Sequence, residues 1–263
     1  MKSSPLFAKA EGGSLSGLRR VAWMTNKEGC SDSCESSQWL TLILYTLHAP
    51  SSRKAGTWLF MQISLTNTGK RYNREWIFRH FDYEFVAGNK YAVTGSNGAG
   101  KSTLLQVIAG SLIHNEGSIN MRLNGRLVPE ENCYRHISLA APYLELIEEM
   151  TAYEFLSFHH QFKALAYSKK EILASINLEK AAGKQIRYFS SGMKQRLKLA
   201  QAFFCTTPVL LLDEPTTNLD ADGVALYHQL IDKNSSGKLV IISSNDPGEY
   251  EFCEEVIEIG KYK

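Results

Sequence analysis

The sequence predicts an α/β fold: a mostly parallel β-sheet covered by helices on both faces, with a small antiparallel β-subdomain and a helical subdomain attached. Three observations carry this expectation. Val209–Leu212 and Leu239–Ser243 are apolar runs with almost no polar alternation, the habit of parallel strands buried on both faces. Segments with helical spacing, Lys101–Ala109, Ser190–Phe204 and Ala221–Lys233, alternate with such runs, as a sheet wrapped by crossover helices requires. The first of those helices follows a short strand, Tyr91–Thr94, through a glycine-rich turn.

Residues 1–60 read unlike the rest. They are rich in Ser, contain Gly12-Gly13, Ser36-Ser37 and Ser51-Ser52, and show no sustained helical or strand period. Two accounts stay open for this N-terminal extension: a disordered tail, or sequence ahead of a biological start at Met61. From Met61 the pattern sharpens. Ile63, Leu65 and the run Phe81–Phe85 alternate like strands of a small sheet, and residues 117–141 look like further short strands around an Asn124-Gly125 hairpin turn. From Glu145 to Ile176, Leu, Phe and Ile recur at helical spacing, and Val256–Ile259 closes the chain as a strand. Residues 61–263 therefore make one domain, preceded by the extension 1–60.

Composition excludes several classes of protein. A net charge of +2 and 44% hydrophobic residues describe a globular chain with no charge field suited to nucleic acid, so no nucleic-acid partner is expected. Residues 1–60 hold seven Lys/Arg against four Asp/Glu, which leaves the remainder slightly acidic. Five scattered cysteines form no disulfide framework, and the Cys30/Cys34 pair has no second pair at zinc-site spacing; reduced thiols in the cytoplasm are expected. The apolar run Trp39–Leu47 is far short of the ~20 residues of a membrane span, and Met1–Gly17 lacks the apolar stretch of a secretory signal. Work at a membrane would need another subunit to do the spanning.

Three motifs carry chemistry. Gly95-Ser96-Asn97-Gly98-Ala99-Gly100-Lys101-Ser102 matches G-x-x-x-x-G-K-[ST], a P-loop, and its strand-before, helix-after context points to a P-loop (RecA-like) core. The glycines let backbone N–H groups turn inward around a phosphate, the helix start adds its positive dipole end, Lys101 places a charge on the β/γ oxygens, and the Ser102 hydroxyl suits Mg2+. Thr103 follows in the same first turn. Val209–Leu212 ends in Asp213 and Glu214; Asp213 is the candidate Mg2+ ligand, and Glu214 the candidate base for an attacking water. Phe189-Ser190-Ser191-Gly192-Met193-Lys194-Gln195-Arg196 opens a helix, with Ser190 placed 23 positions before Asp213. A Ser hydroxyl, a small turn and a helix N-terminus make a second anion site.

This third motif resembles the signature sequence of ABC ATPases, in the Gly-Met-Lys-Gln-Arg variant common among exporters, and the resemblance covers Met61–Lys263. It implies ATP and Mg2+ as ligands, with Ser190, Ser191 and Gly192 contacting ATP held by the partner in a head-to-tail homodimer or paired cassette. Tyr72, 23 residues before Gly95, is similar to the family's adenine-stacking aromatic, and Pro215-Thr216-Thr217-Asn218-Leu219-Asp220 resembles its D-loop. The family's Gln ahead of the helical subdomain is replaced by Pro142, and its His after the last core strand by Asn245, which inherits the γ-phosphate position as a catalytic residue without an imidazole. The resemblance implies an ATPase, cytoplasmic and peripheral at the inner membrane face, driving a separate transmembrane permease subunit through Tyr143–Arg187. The alternatives are a soluble ABC ATPase acting on ribosome or DNA, and a slow or non-hydrolysing ATP-gated scaffold. A chain beginning at Met61 is expected to fold and to bind ATP as tightly as the full-length chain in titration calorimetry. Loss of soluble folded protein on that truncation would show that the extension packs on the core.

Overall fold

The alternation that starts at Met61 becomes two antiparallel strands of 12 residues each, β1 (Met61–Tyr72) and β2 (Glu75–Val86), in the computed structural model of the chain, which describes residues 60–263. The expectations made for the N-terminal extension up to Leu59 lie outside the described residues. After β3 (Lys90–Thr94) and α1 (Lys101–Ile108), β4 (Glu116–Leu123) and β5 (Arg126–Leu127) complete a four-stranded antiparallel sheet in the order β2-β1-β4-β5. The β4–β5 turn is the expected one: Asn124 and Gly125 have φ of 51° and 77°, positive at both central positions as a type I′ hairpin turn requires.

The second sheet takes β3 together with β6 (Ile137–Ala140), β7 (Val209–Asp213), β8 (Leu239–Ser243) and β9 (Glu255–Glu258), in the order β6-β7-β8-β3-β9. Every pairing in it is parallel. Pleating then divides its side chains between two cores. Leu210, Leu212, Val240 and Ile242 face one core, while Val209, Leu211, Leu239 and Ile241 face the other, all at 0% exposure. The first core is closed by α2 (Ala152–Phe162), α3 (Lys169–Ser175), α4 (Ser191–Phe203) and α5 (Ala221–Asn234). The second is closed by α1 and by Met61, Ile63, Phe78 and Phe85 of the antiparallel sheet. Each fully buried Leu, Ile or Val stabilises the fold by about 1.5–3 kcal/mol relative to exposure.

One expectation needs correction. Residues 117–141 are not strand throughout, because Glu130–His136 is a 3-10 helix with no buried residue, acidic at its start and basic at its end. That charge order suits a helix dipole, and no apolar face exists to hold the segment in a sheet. The helical segment expected over Glu145–Ile176 resolves into two helices. Thr151 with Glu154 and Ser168 with Glu171 form capping boxes that start α2 and α3 separately. A last short helix, α6 (Pro247–Tyr250), was not anticipated.

Where α2 meets the end of α4, His159 Nε2 lies 3.2 Å from Cys205 Sγ, with Lys163 and His160 nearby. Burial, followed by the charges of Lys163 and His160, pushes the His159 imidazole down to about 4. Its folded pKa lies below the unfolded value near 6.5, so the unfolded chain takes up the proton first. The stabilising contribution is complete above pH about 6.5, declines as pH falls toward 4, and changes no further below it. Chemical denaturation at pH 7 and pH 5 is therefore expected to show a larger acid loss for the parent than for His159→Gln, by on the order of 1–2 kcal/mol. Equal losses would mean that His159 titrates normally in the fold.

Candidate nucleotide-binding site

The P-loop spans the gap between β3 and α1, at the C-terminal ends of the parallel strands, where α/β sheets bind ligands. Glycine is required at two of its corners. Gly100 has φ 108°, and a Cβ there would sit 2.5 Å from Ile77 Cγ2; Gly95 has φ 146°, with Ile259 Cγ2 at 2.9 Å from such an atom. The loop is therefore backed by β2 and by the 3-10 turn Ile259–Tyr262. Ser96, Asn97 and Gly98 are exposed at its tip, and Ala99 is buried. No side chain caps α1, which begins at Lys101, so its first-turn N–H groups stay available to an anion. Lys101 is only 5% exposed, and its Nζ donates to the carbonyls of Gly95 at 2.7 Å and Ser96 at 3.4 Å, which folds the ammonium back across the loop. A cradle of backbone donors with a cation inside it fits a polyphosphate.

Asp213 ends β7 at 2% exposure. The hydroxyl of Ser243, its partner in the β7–β8 register, donates to Asp213 Oδ1, and the Ser102 hydroxyl also hydrogen-bonds the carboxylate. Burial raises the Asp213 carboxyl above the ordinary range, and nearby Glu214 adds to that; the two hydroxyls and Lys101 pull the other way. A buried carboxylate beside the Ser102 hydroxyl is an all-oxygen donor set of the hard kind that suits Mg2+. Glu214 follows in the left-handed region, φ 43°, a conformation costing a non-glycine residue roughly 1–2 kcal/mol. Its N–H donates to the Ser243 carbonyl at 2.9 Å, and its side chain is exposed beside the loop.

Asn245 closes the other side. Its Oδ1 accepts from the Gly95 N–H at 3.2 Å and its Nδ2 donates to Asn97 Oδ1 at 3.1 Å, so one carboxamide clips the start of the P-loop at two points. Pro142 is exposed, and its carbonyl accepts from Lys198 Nζ at 2.8 Å. The adjacent Tyr143 hydroxyl, bonded to Gln106 of α1, is pushed up to about 12 by burial and by the charge of Asp213. A phenol, unanticipated from the sequence, thus stands near the buried carboxylate.

The structure brings together Gly95–Thr103, Asp213, Glu214 and Asn245. The second anion motif stands apart from them. Ser190 caps α4, its hydroxyl accepting from Met193 N–H at 3.2 Å, and among the described residues no hydrogen bond joins Ser190, Ser191 or Gly192 to the P-loop. The same helix grips the D-loop segment instead. Gln195 Nε2 donates to the Pro215 carbonyl, and Arg196 pairs with Asp220, both at 2.8 Å. Tyr72 ends β1 with 47% of its surface exposed and Lys70 Nζ 5.2 Å from its ring centre, leaving a ring face open to stacking. Sequence reasoning missed Ser243; its signal was its place level with Asp213 on the neighbouring apolar strand.

Comparison with known proteins agrees with this geometry. Residues 78–217 match the family described as ABC transporter. The chain is 31% identical over 202 residues to the uncharacterized ABC transporter ATP-binding protein YybJ of Bacillus subtilis, covering 75% of this chain and 92% of that one. It is 30% identical over 203 residues to the lantibiotic transport ATP-binding protein SrtF of Streptococcus pyogenes, covering 74% and 85%. Its fold is similar to a dimeric post-hydrolysis state of the ATP-binding cassette MJ0796 bound to ADP and Pi, with TM-score 0.65, 23% identity and coverage of 75% and 95%. With its P-loop, buried aspartate and capped signature helix in one α/β domain, this chain belongs to the ABC transporter family as an ATP-binding protein of the ATPase class.

Proposed function

We propose that this chain binds ATP with Mg2+ on its P-loop, hydrolyses it, and couples the cycle to a separate membrane subunit. The observation that carries the reading is the cluster Ser102–Asp213–Ser243 beneath the loop, with Glu214 next in the chain. Ser102 and Asp213 would hold Mg2+, which supplies charge stabilisation on the phosphate oxygens. Lys101 balances negative charge on the β/γ phosphates and leaves its two carbonyl contacts to do so. Glu214 orients the attacking water and accepts its proton, a role open to an exposed carboxylate adjoining the buried one. Tyr72 stacks the adenine. Ser190, Ser191 and Gly192 serve ATP on a second copy, which fits the absence, among the described residues, of any hydrogen bond from them to their own P-loop.

Coupling to a membrane subunit is supported by the helical subdomain and by relatives whose names carry transport. No helix among the described residues is long and apolar enough to cross a membrane. The helical subdomain exposes Phe158 and Phe162, in ring contact at 5.0 Å, an aromatic pair suited to a protein partner. Placement at the cytoplasmic face and an export direction follow the same reading. One observation favours a slower enzyme: Asn245 and Pro142 bring no titratable group to the γ-phosphate end, and the Asn245 carboxamide already has partners.

Two variants test this. Lys101→Ala removes a charge-assisted contact worth about 1.5–3 kcal/mol, so ATP affinity by titration calorimetry is expected to fall more than tenfold. Unchanged affinity would refute the P-loop assignment. Glu214→Gln should keep ATP binding, lose turnover and accumulate an ATP-bound dimer by light scattering; turnover at the parent rate would place the base elsewhere.

A further inference from the structure

Glu249, in the short helix α6, is 4% exposed, and none of the ion pairs among the described residues includes it. A buried carboxylate without a cation is costly, and an apolar side chain of the same volume would fill its space at lower cost. Its oxygen is fully engaged with one residue. Oε1 accepts from the Thr216 N–H at 2.7 Å and from the Thr216 hydroxyl. Its own carbonyl accepts from the hydroxyl of Tyr227, in α5, at 2.7 Å. Thr216 lies two residues beyond Glu214, in the loop that runs into α5 through the cap Asp220. Glu249 therefore holds the loop by its side chain and the helix after that loop by its main chain.

The segment leading to Glu249 touches the rest of the site. Ser243 bonds Asp213 and accepts from Glu214 N–H, and Asn245 clips Gly95 and Asn97. One run of seven residues, Ser243–Glu249, thus ties the P-loop, the buried aspartate, the candidate base and the loop after it. The same loop is also held from α4, by Gln195 at the Pro215 carbonyl beside Glu214 and by Arg196 at Asp220 at its far end. Thr216 is held through both its N–H and its hydroxyl, two residues after Glu214.

We propose that Glu249 is a positioning residue for ATP hydrolysis: by fixing Thr216 it sets the loop after Glu214, and through Asn245 it links that loop to the P-loop. The inference rests on the ATPase reading above. It predicts a split between binding and turnover that loss of packing alone would not produce.

The test uses the full chain with Glu249→Met, which fills the volume without an acceptor, and Glu249→Gln, which keeps one. Turnover is normalised to bound nucleotide. Glu249→Met is expected to lower kcat about tenfold, the effect of roughly 1.4 kcal/mol at the barrier, with KM for ATP within about twofold. Glu249→Gln should restore at least half of the parent kcat. Amide hydrogen exchange at Thr216 should accelerate about tenfold or more in Glu249→Met and stay near the parent rate at Lys101. Equal kcat for Glu249→Met and parent overturns the proposal, as does a loss in which KM rises in step with the fall in kcat. If Glu249→Met does not fold, Thr216→Val against Thr216→Ser decides: the hydroxyl-free variant must be the slower by threefold or more, and equal rates overturn the proposal. A parent with no turnover above a Glu214→Gln control sinks the ATPase reading instead; exchange at Thr216 still reports whether Glu249 anchors the loop.

Discussion

The hydrogen bond between the Ser243 hydroxyl and Asp213 joins the C-terminal ends of two neighbouring parallel strands, and the site is assembled around it. It exists because β7 and β8 stop level with one another: Val209 to Asp213 pair in order with Leu239 to Ser243. Everything beyond Ser243 takes its place from that register. The Ser243 carbonyl receives Glu214 N–H, Ser244 N–H donates to Val93 of β3, and Asn245 reaches the P-loop. A slip of one residue in β8 would turn Leu239, Ile241 and Ser243 to the opposite face. It would exchange the two cores and remove the hydroxyl from Asp213. Leu239–Ile242 are buried on both faces, so the slip would cost repacking of two apolar cores rather than burial, and the Ser243–Asp213 contact is what distinguishes the observed register.

The site itself holds arrangements that cost stability. Asp213 is buried with its carboxyl pushed upward, and Glu214 sits in the left-handed region. Each is tolerated because neighbours over-determine it: two hydroxyls and Lys101 for Asp213, the Ser243 carbonyl for the Glu214 backbone. The largest effect at Asp213 is burial, which a divalent cation at the carboxylate would oppose. The same carboxylate is thus poorly solvated alone and well matched to a metal. Such tension marks binding sites more often than structural ones.

Much of this was legible in the sequence because the signals are local. The P-loop is a single run of residues, β7 and β8 are uninterrupted apolar strings, and Asn124-Gly125 permits few turns besides the one observed. What escaped reading depends on partners distant in the chain. Ser243 looks like an ordinary strand end until its register with Asp213 is known. Glu249 resembles any surface glutamate until Thr216, 33 residues earlier, is brought against it. The division between α2 and α3 was local and available, since Ser168-x-x-Glu171 is a capping box. There the recurrence of Leu, Phe and Ile at helical spacing concealed a stop signal, because two short helices burying the same core keep the same period.

Asn245 shows what a carboxamide does as the link between β8 and the P-loop. A neutral imidazole offers one donor and one acceptor, and so does the Asn245 carboxamide as it is used here, accepting from Gly95 and donating to Asn97. The static contacts can therefore be equivalent. The difference is that a carboxamide does not titrate, whereas an imidazole changes charge near neutral pH. In this chain the link from β8 to the P-loop keeps the same donors and acceptors across the physiological range. On the ATPase reading proposed above, charge at the phosphate would come from Lys101 and a bound cation, since the Asn245 carboxamide supplies none. On that same reading, turnover would depend more on the position of Glu214, and so on the contacts that hold the segment following it.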